Sequence, residues 1–89
     1  MNMKAKALVA RNIRKLRVKR GLSQENLAVD AEISNTYLNA IERNLKNPTV
    51  DILERIAIAL GVPITAFFAP SLPGEKPPRP LPSGRKAKT

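Results

Sequence analysis

Four polar side chains lie at helical spacing in the segment SNTYLNAIERNLKNPT, residues 34–49. They are Asn35, Thr36, Asn39 and Arg43, and together they form one side of a helical wheel. Exposed helix faces usually carry Lys and Glu, whereas this face carries amides, a hydroxyl and a guanidinium. Such groups hydrogen-bond to base edges: Asn pairs with adenine, Arg with guanine, and Thr with several bases. Their types and spacing therefore predict a surface that binds nucleic acid.

The opposite side of this segment is predicted to pack against the rest of the protein. It gathers Ser34, Tyr37, Leu38, Ile41 and Leu45 on the same helical wheel. The alternative for the polar side is an ordinary solvated surface, which any one of its residues alone would favour. Their arrangement on one face, within a small basic protein, favours the binding interpretation.

Periodicity and end signals predict two helices ahead of this segment. The first runs from Ala5 to Arg20 and ends at Gly21, whereas Ser23 caps the second and Ser34 caps the third. Because only a short turn separates the second and third helices, we expect them to cross steeply. Their apolar residues are Val9, Ile13 and Leu16 in the first helix and Leu27, Ala28 and Ala31 in the second.

Two further helices are predicted after the polar segment. Thr49 caps the fourth, Gly61 ends it, and Pro63 begins a short fifth helix with the sequence PITAFF. We therefore expect an all-α protein with a compact five-helix domain over residues 1–69. Residues 70–89 are rich in proline and basic residues, which predicts a disordered tail. A PxxP match in that tail has an alternative interpretation as a ligand for an aromatic groove.

The charge of the chain indicates a polyanionic partner. Its 89 residues carry a formal net charge of +9, from 16 Lys and Arg against 7 Asp and Glu. Eight basic residues and no acidic residue lie between Lys4 and Arg20. Nucleic acid is the first expectation and an acidic membrane surface the second. The alternative is that the charge only solvates a helix face and a tail.

The composition argues against most enzymes and metal sites. The chain has neither Cys nor His, so it lacks thiolate ligands and the commonest catalytic base, and we expect no cofactor. We find no apolar segment of the roughly 20 residues that span a bilayer, and we expect a cytoplasmic protein. The carboxylates are scattered over the short predicted helices, which predicts a protein without enzyme activity. Apart from Glu75 in the tail, they are Glu25, Asp30, Glu32, Glu42, Asp51 and Glu54.

The segments LRVKRGLSQENLA and ISNTYLNAIERNLKNPTVDILERIAIALGV resemble the phage-repressor type of helix-turn-helix protein, the family of the lambda-like repressors, Cro proteins and XRE-type bacterial relatives. The resemblance covers roughly Val9 to Phe68. It rests on Gly-Leu-Ser-Gln at the second helix, Ile-Glu-Arg at the end of the third and Asn-Pro before the fourth. TYLNAIERNLKN is also similar to the controller proteins of restriction–modification systems. The resemblance implies a sequence-specific regulator of transcription, such as a repressor, that binds double-stranded DNA.

The resemblance also implies roles for individual residues. The recognition helix, residues 34–44, would lie in the major groove. Phosphate contacts would set its register, and base contacts would set its preference. The base-contacting residues would be Asn35, Thr36, Asn39 and Ala40. The phosphate-contacting residues would be Ser23, Gln24, Ser34, Tyr37, Arg43, Asn44, Lys46 and Asn47, with base contacts by Arg43 or Lys46 as an alternative.

Two structural features follow from the same resemblance. Family pattern pairs Arg17 with Glu42, and we predict a partly buried, bidentate ion pair that joins the first and third helices. The alternative is an exposed Glu42 without a partner. The family usually has glycine, often with positive φ, at the position of Glu32, so the turn between the second and third helices departs from the pattern.

Proteins of this type usually act as two-fold dimers on half-sites about 34 Å apart. The predicted dimer interface consists of Ile64, Phe67 and Phe68; the alternative is that both phenylalanines close the monomer core. The sequence shows no second folded domain, so we expect no small-molecule effector. A competing functional hypothesis is an antitoxin-like or bridging module that uses the same domain to bind a protein partner.

Overall fold

Residues 4–70 are described by the computed structural model, and they fold into four α-helices and one 3₁₀ helix. The predicted all-α, five-helix fold is confirmed, with the difference that the last helix is of the 3₁₀ type. Apart from Pro70, the predicted tail lies outside the described residues. In chain order the elements are α1 (Ala5–Lys19), α2 (Gln24–Ala31), α3 (Asn35–Glu42), α4 (Val50–Leu60) and the 3₁₀ helix (Ile64–Phe68).

Three helices begin at the hydroxyl caps that the sequence predicts. Ser23, Ser34 and Thr49 each accept a hydrogen bond from the backbone N–H three residues further along. Each cap satisfies a donor that would otherwise lack a partner at the helix start, and is worth about 1 kcal/mol. The donors are the backbone nitrogens of Asn26 at 3.0 Å, Tyr37 at 3.0 Å and Ile52 at 3.1 Å.

All four α-helices end in the same way, with a left-handed residue. These residues are Gly21 (φ 72°), Glu32 (φ 61°), Asn44 (φ 64°) and Gly61 (φ 72°). In each case the next N–H donates to the carbonyl five residues earlier, as Ile33 does to Ala28 at 3.0 Å. Glu32 therefore has the positive φ expected there, at a cost of about 1 kcal/mol for a residue with a Cβ. These sharp ends let short helices reverse direction around a small core.

The core draws one or more large side chains from every element. Its fully buried members are Ile13, Leu27, Leu38, Ile41, Ile56, Leu60 and Phe67. The 3₁₀ helix contacts both α1 and α4, and it seats Phe67 at 0% exposure. Asn12, itself buried in α1, donates from Nδ2 to the carbonyl oxygens of Phe67 at 2.8 Å and Ala69 at 2.9 Å. The inclusion of Phe67 in the predicted dimer interface was therefore wrong, because this side chain closes the monomer core.

Leu45 also departs from the prediction. The helical wheel predicts that Leu45 lies on the buried side of the third helix, yet it is 61% exposed. The physical reason is that α3 ends at Glu42, and the positive φ of Asn44 turns the chain away from the helical path. The helical periodicity therefore does not extend to Leu45, and its predicted burial is wrong.

Candidate nucleic-acid interface

The polar face of α3 is turned away from the core. Asn35 and Thr36 are exposed at the start of the helix, and Arg43 is exposed immediately after it. Asn39 and Ala40, one turn along from the first two, are half-buried. Because Leu38 and Ile41 anchor the opposite face in the core, the rotation of α3 about its own axis is fixed. The helix therefore presents short polar side chains to solvent from a rigid position.

A buried ion pair holds α3 against α1. Arg17 donates from Nε to Glu42 Oε2 at 2.7 Å and from Nη2 to Glu42 Oε1 at 3.0 Å. The Glu42 side chain is 0% exposed and that of Arg17 12% exposed. Arg17 also donates from Nη1 to the carbonyl oxygen of Leu22 at 2.8 Å, just ahead of α2. The bidentate geometry compensates the buried carboxylate, so one guanidinium ties α1 to both α3 and the start of α2.

Gln24 extends this contact to the polar face of α3. Its Nε2 donates to Glu42 Oε1 at 3.0 Å, and its Oε1 accepts from Asn39 Nδ2 at 3.0 Å. The sequence predicts a phosphate contact for Gln24 and a base contact for Asn39, with no link between the two residues. Periodicity within one helix could not reveal a bond between residues of two helices. The structure shows that these two amides are joined.

Apart from Gln24, the residues predicted to contact phosphate fall into two groups. Ser23 and Ser34 lie at the starts of α2 and α3, where their oxygens accept the cap hydrogen bonds. Each hydroxyl hydrogen is still able to donate to an anion, and the first N–H groups and the dipole of a helix also favour negative charge there. The second group follows α3 or lies on it: Arg43, Asn44, Lys46 and Asn47 are exposed, and Tyr37 is half-buried.

α1 carries a crowded row of cations. Partial burial and the neighbouring charges of Arg11 and Lys19 hold the pKa of Lys15 below its ordinary value. Repulsion between like charges of this kind is relieved when a polyanion binds. The positive charge of α1 is therefore of the kind that a polyanionic partner would stabilise.

Exposed apolar side chains lie on α4 and on the 3₁₀ helix. Phe68 is 46% exposed on the 3₁₀ helix, and Ile58 is 73% exposed on α4, the helix that contacts it. Ile64 is half-buried and packs against the core. The predicted interface includes Ile64 and Phe68 but not Ile58, which lies on the exposed side of α4.

Residues 4–70 contain neither a candidate metal-binding group nor a membrane-spanning helix. This part of the chain holds no group of three or more His, Cys, Asp or Glu residues able to bind a metal ion. None of its helices has the length and apolar character needed to cross a bilayer.

Comparison with known proteins places these features in a family. The helix-turn-helix family HTH_3 matches residues 13–67, which include all of α2, α3 and α4. The chain is 38% identical over 69 residues to the uncharacterized HTH-type transcriptional regulator y4dJ of Sinorhizobium fredii, a match that covers 78% of this chain and 90% of y4dJ. Other relatives are much longer, and the matched segment makes up only 14% of one of them.

Solved structures agree with the sequence comparison. The hypothetical transcription factor NHTF from Neisseria superposes with a TM-score of 0.72 at 37% identity, covering 75% of this chain and 77% of NHTF. The restriction–modification controller protein C.Esp1396I, solved as a tetramer with its natural 35 base-pair operator, superposes with a TM-score of 0.69 at 36% identity, covering 75% of this chain and 88% of the controller. The chain belongs to the HTH_3 family of helix-turn-helix, DNA-binding transcriptional regulators.

Proposed function

We propose that the protein is a sequence-specific regulator of transcription that binds double-stranded DNA as a dimer, with α3 in the major groove. The observation that carries this proposal is the exposed polar face of α3, held rigidly by the core and by the Arg17–Glu42 pair. The similarity to C.Esp1396I, a controller protein crystallised on its operator, supports it.

Side chains on the exposed face of α3 read the bases directly. Asn35, Thr36, Asn39 and Ala40 contact bases, Ala40 through a thymine methyl group. The two serine caps, Gln24 and the exposed residues after α3 contact phosphates on either side of the groove. Phosphate contacts supply most of the salt-dependent affinity, and base contacts supply the preference.

Dimerisation uses the apolar surface formed by Ile58, Ile64 and Phe68. Two observations support this assignment: the exposure of Ile58 and Phe68, and the contact between their two elements. A two-fold dimer presents two copies of α3 to half-sites about 34 Å apart, one turn of the duplex.

Selection of bound duplexes from a random pool tests the proposal. We expect an enriched motif with two related half-sites, bound with an affinity that falls steeply as salt rises. In the enriched duplex, Asn35→Ala relaxes the preference at one base pair of each half-site. Lys46→Ala serves as the matched control, because loss of a phosphate contact weakens binding to all sequences and lowers the salt slope by about one. A pool without any enriched sequence would contradict sequence-specific binding and favour the protein-partner hypothesis.

A further inference from the structure

A chain of hydrogen bonds leads from the buried ion pair to the exposed face of α3. It starts at Arg17, passes through Glu42 and Gln24, and ends at the side-chain amide of Asn39. Its members come from α1, α3 and α2, so it joins the three helices at one place. Asn39 is half-buried at its end, at the edge of the polar face.

The chemistry of each member fixes the orientation of the next. The Glu42 carboxylate offers only acceptors, so Gln24 must turn its Nε2 toward it. Gln24 Oε1 then faces Asn39 and accepts a hydrogen bond from Asn39 Nδ2 at 3.0 Å. The Asn39 carbonyl oxygen diverges from that nitrogen and is directed away from Gln24. An amide that could otherwise rotate by half a turn thus has one preferred orientation.

We propose that Gln24 and Glu42 are positioning residues that make Asn39 present its carbonyl oxygen and one remaining N–H to the major groove. This proposal rests on the proposed function and adds the base that Asn39 selects. A carbonyl oxygen beside one N–H matches adenine, which offers the N6 amine as donor and N7 as acceptor. Guanine offers acceptors at both O6 and N7, so an acceptor of guanine would face the Asn39 carbonyl oxygen and no hydrogen bond could form there. Asn39 therefore reads adenine and rejects guanine because Gln24 sets its orientation.

Gln24 also has a second Nε2 hydrogen, which is able to donate to a phosphate. Its two roles have separable consequences. Loss of a phosphate contact weakens binding to every sequence by a similar factor, whereas loss of the orientation of Asn39 changes the preference at one base pair. A good bidentate pair discriminates between bases by about 5- to 150-fold, so the second effect is large enough to measure.

Two substitutions of Gln24 separate orientation from packing. Gln24→Met keeps the length of the side chain but neither donates to Glu42 nor accepts strongly from Asn39. We expect it to lower the adenine-over-guanine discrimination at the Asn39 base pair by about tenfold. Gln24→Lys offers donors only, so Asn39 must turn its carbonyl oxygen toward residue 24 and its Nδ2 toward the groove. We expect this variant to prefer guanine at the same base pair.

The base pair is identified first, as the one whose preference Asn39→Ala removes in the duplex selected by the parent protein. Lys46→Ala is the control for a lost phosphate contact and leaves the preference there unchanged. The combined variant Gln24→Lys with Asn39→Ala shows whether Asn39 reads the guanine. If it does, the preference for guanine disappears in the combined variant. Persistence of that preference would mean that the new lysine reads the base, and would overturn the reversed orientation of Asn39.

The outcomes distinguish this inference from the function on which it rests. Unchanged adenine discrimination in Gln24→Met would overturn the positioning role. An Asn39→Ala variant that changes the base preference at no position would also overturn it. In both cases the enriched motif of the parent would still support sequence-specific binding. Failure of the parent to enrich any motif would overturn both. Circular dichroism of each variant shows whether the helices remain folded.

Discussion

We expect Arg17→Met to lower the free energy of unfolding by about 3 kcal/mol, because it leaves the Glu42 carboxylate buried without its cation. Removing one partner of a buried pair costs about 3–5 kcal/mol. The lower end applies here, since Gln24 still donates to Glu42 at 3.0 Å and Arg17 itself retains 12% exposure. A small domain has only about 0.05–0.15 kcal/mol of stability per residue, so this loss is a third or more of the total.

Urea unfolding followed by far-UV circular dichroism measures this change. Lys19→Met is the matched control, because it removes an exposed cation from the same helix and should leave the free energy of unfolding nearly unchanged. The double variant Arg17→Met with Glu42→Met replaces both charges by apolar chains, and we expect it to be more stable than Arg17→Met alone. A single variant as stable as the Lys19 control, or additive effects in the double variant, would refute the role of the pair.

Three further comparisons test the helix ends and the apolar surface. Gly21→Ala and Gly61→Ala both place a Cβ at φ +72°, which costs about 1 kcal/mol. In urea unfolding we expect Gly61→Ala to cost more, because its Cβ would lie 3.2 Å from Arg20 Nη1. Nothing lies within 4 Å of a Cβ at residue 21. Phe67→Ala should lower the stability of the fold by about 3–5 kcal/mol in the same assay. Phe68→Ala should instead keep the fold and shift the protein toward monomer in sedimentation velocity; an unchanged dimer would argue against the proposed interface.

Much of the fold could be predicted because local signals determine it. A hydroxyl residue at Ser23, Ser34 and Thr49 identifies three helix starts, and glycine at 21 and 61 identifies two helix ends. These signals depend on residues within one turn of chain, and so they can be read from the sequence. The end of α3 was harder, because Asn44 rather than glycine adopts the left-handed conformation, and Leu45 was misplaced as a result.

The site was predictable to the extent that it lies on one helix. The polar face of α3 follows from spacing alone, whereas the link between Gln24 and Asn39 requires the packing of α2 on α3. The Arg17–Glu42 pair came from family pattern, since no periodicity connects residues on α1 and α3. No sequence pattern indicates the structural role of Asn12, because its side-chain hydrogen bonds go to backbone carbonyl groups of a segment distant in the chain.

The most direct test of the central claim is an NMR titration of the ¹⁵N-labelled protein with the duplex selected from the random pool. If α3 lies in the major groove, the largest shift changes occur at the backbone amides of Asn35, Thr36 and Asn39 and at the side-chain amides of the two asparagines. If these signals stay unchanged while the amides of α4 and the 3₁₀ helix respond, DNA binds on a different face and α3 is not the recognition helix.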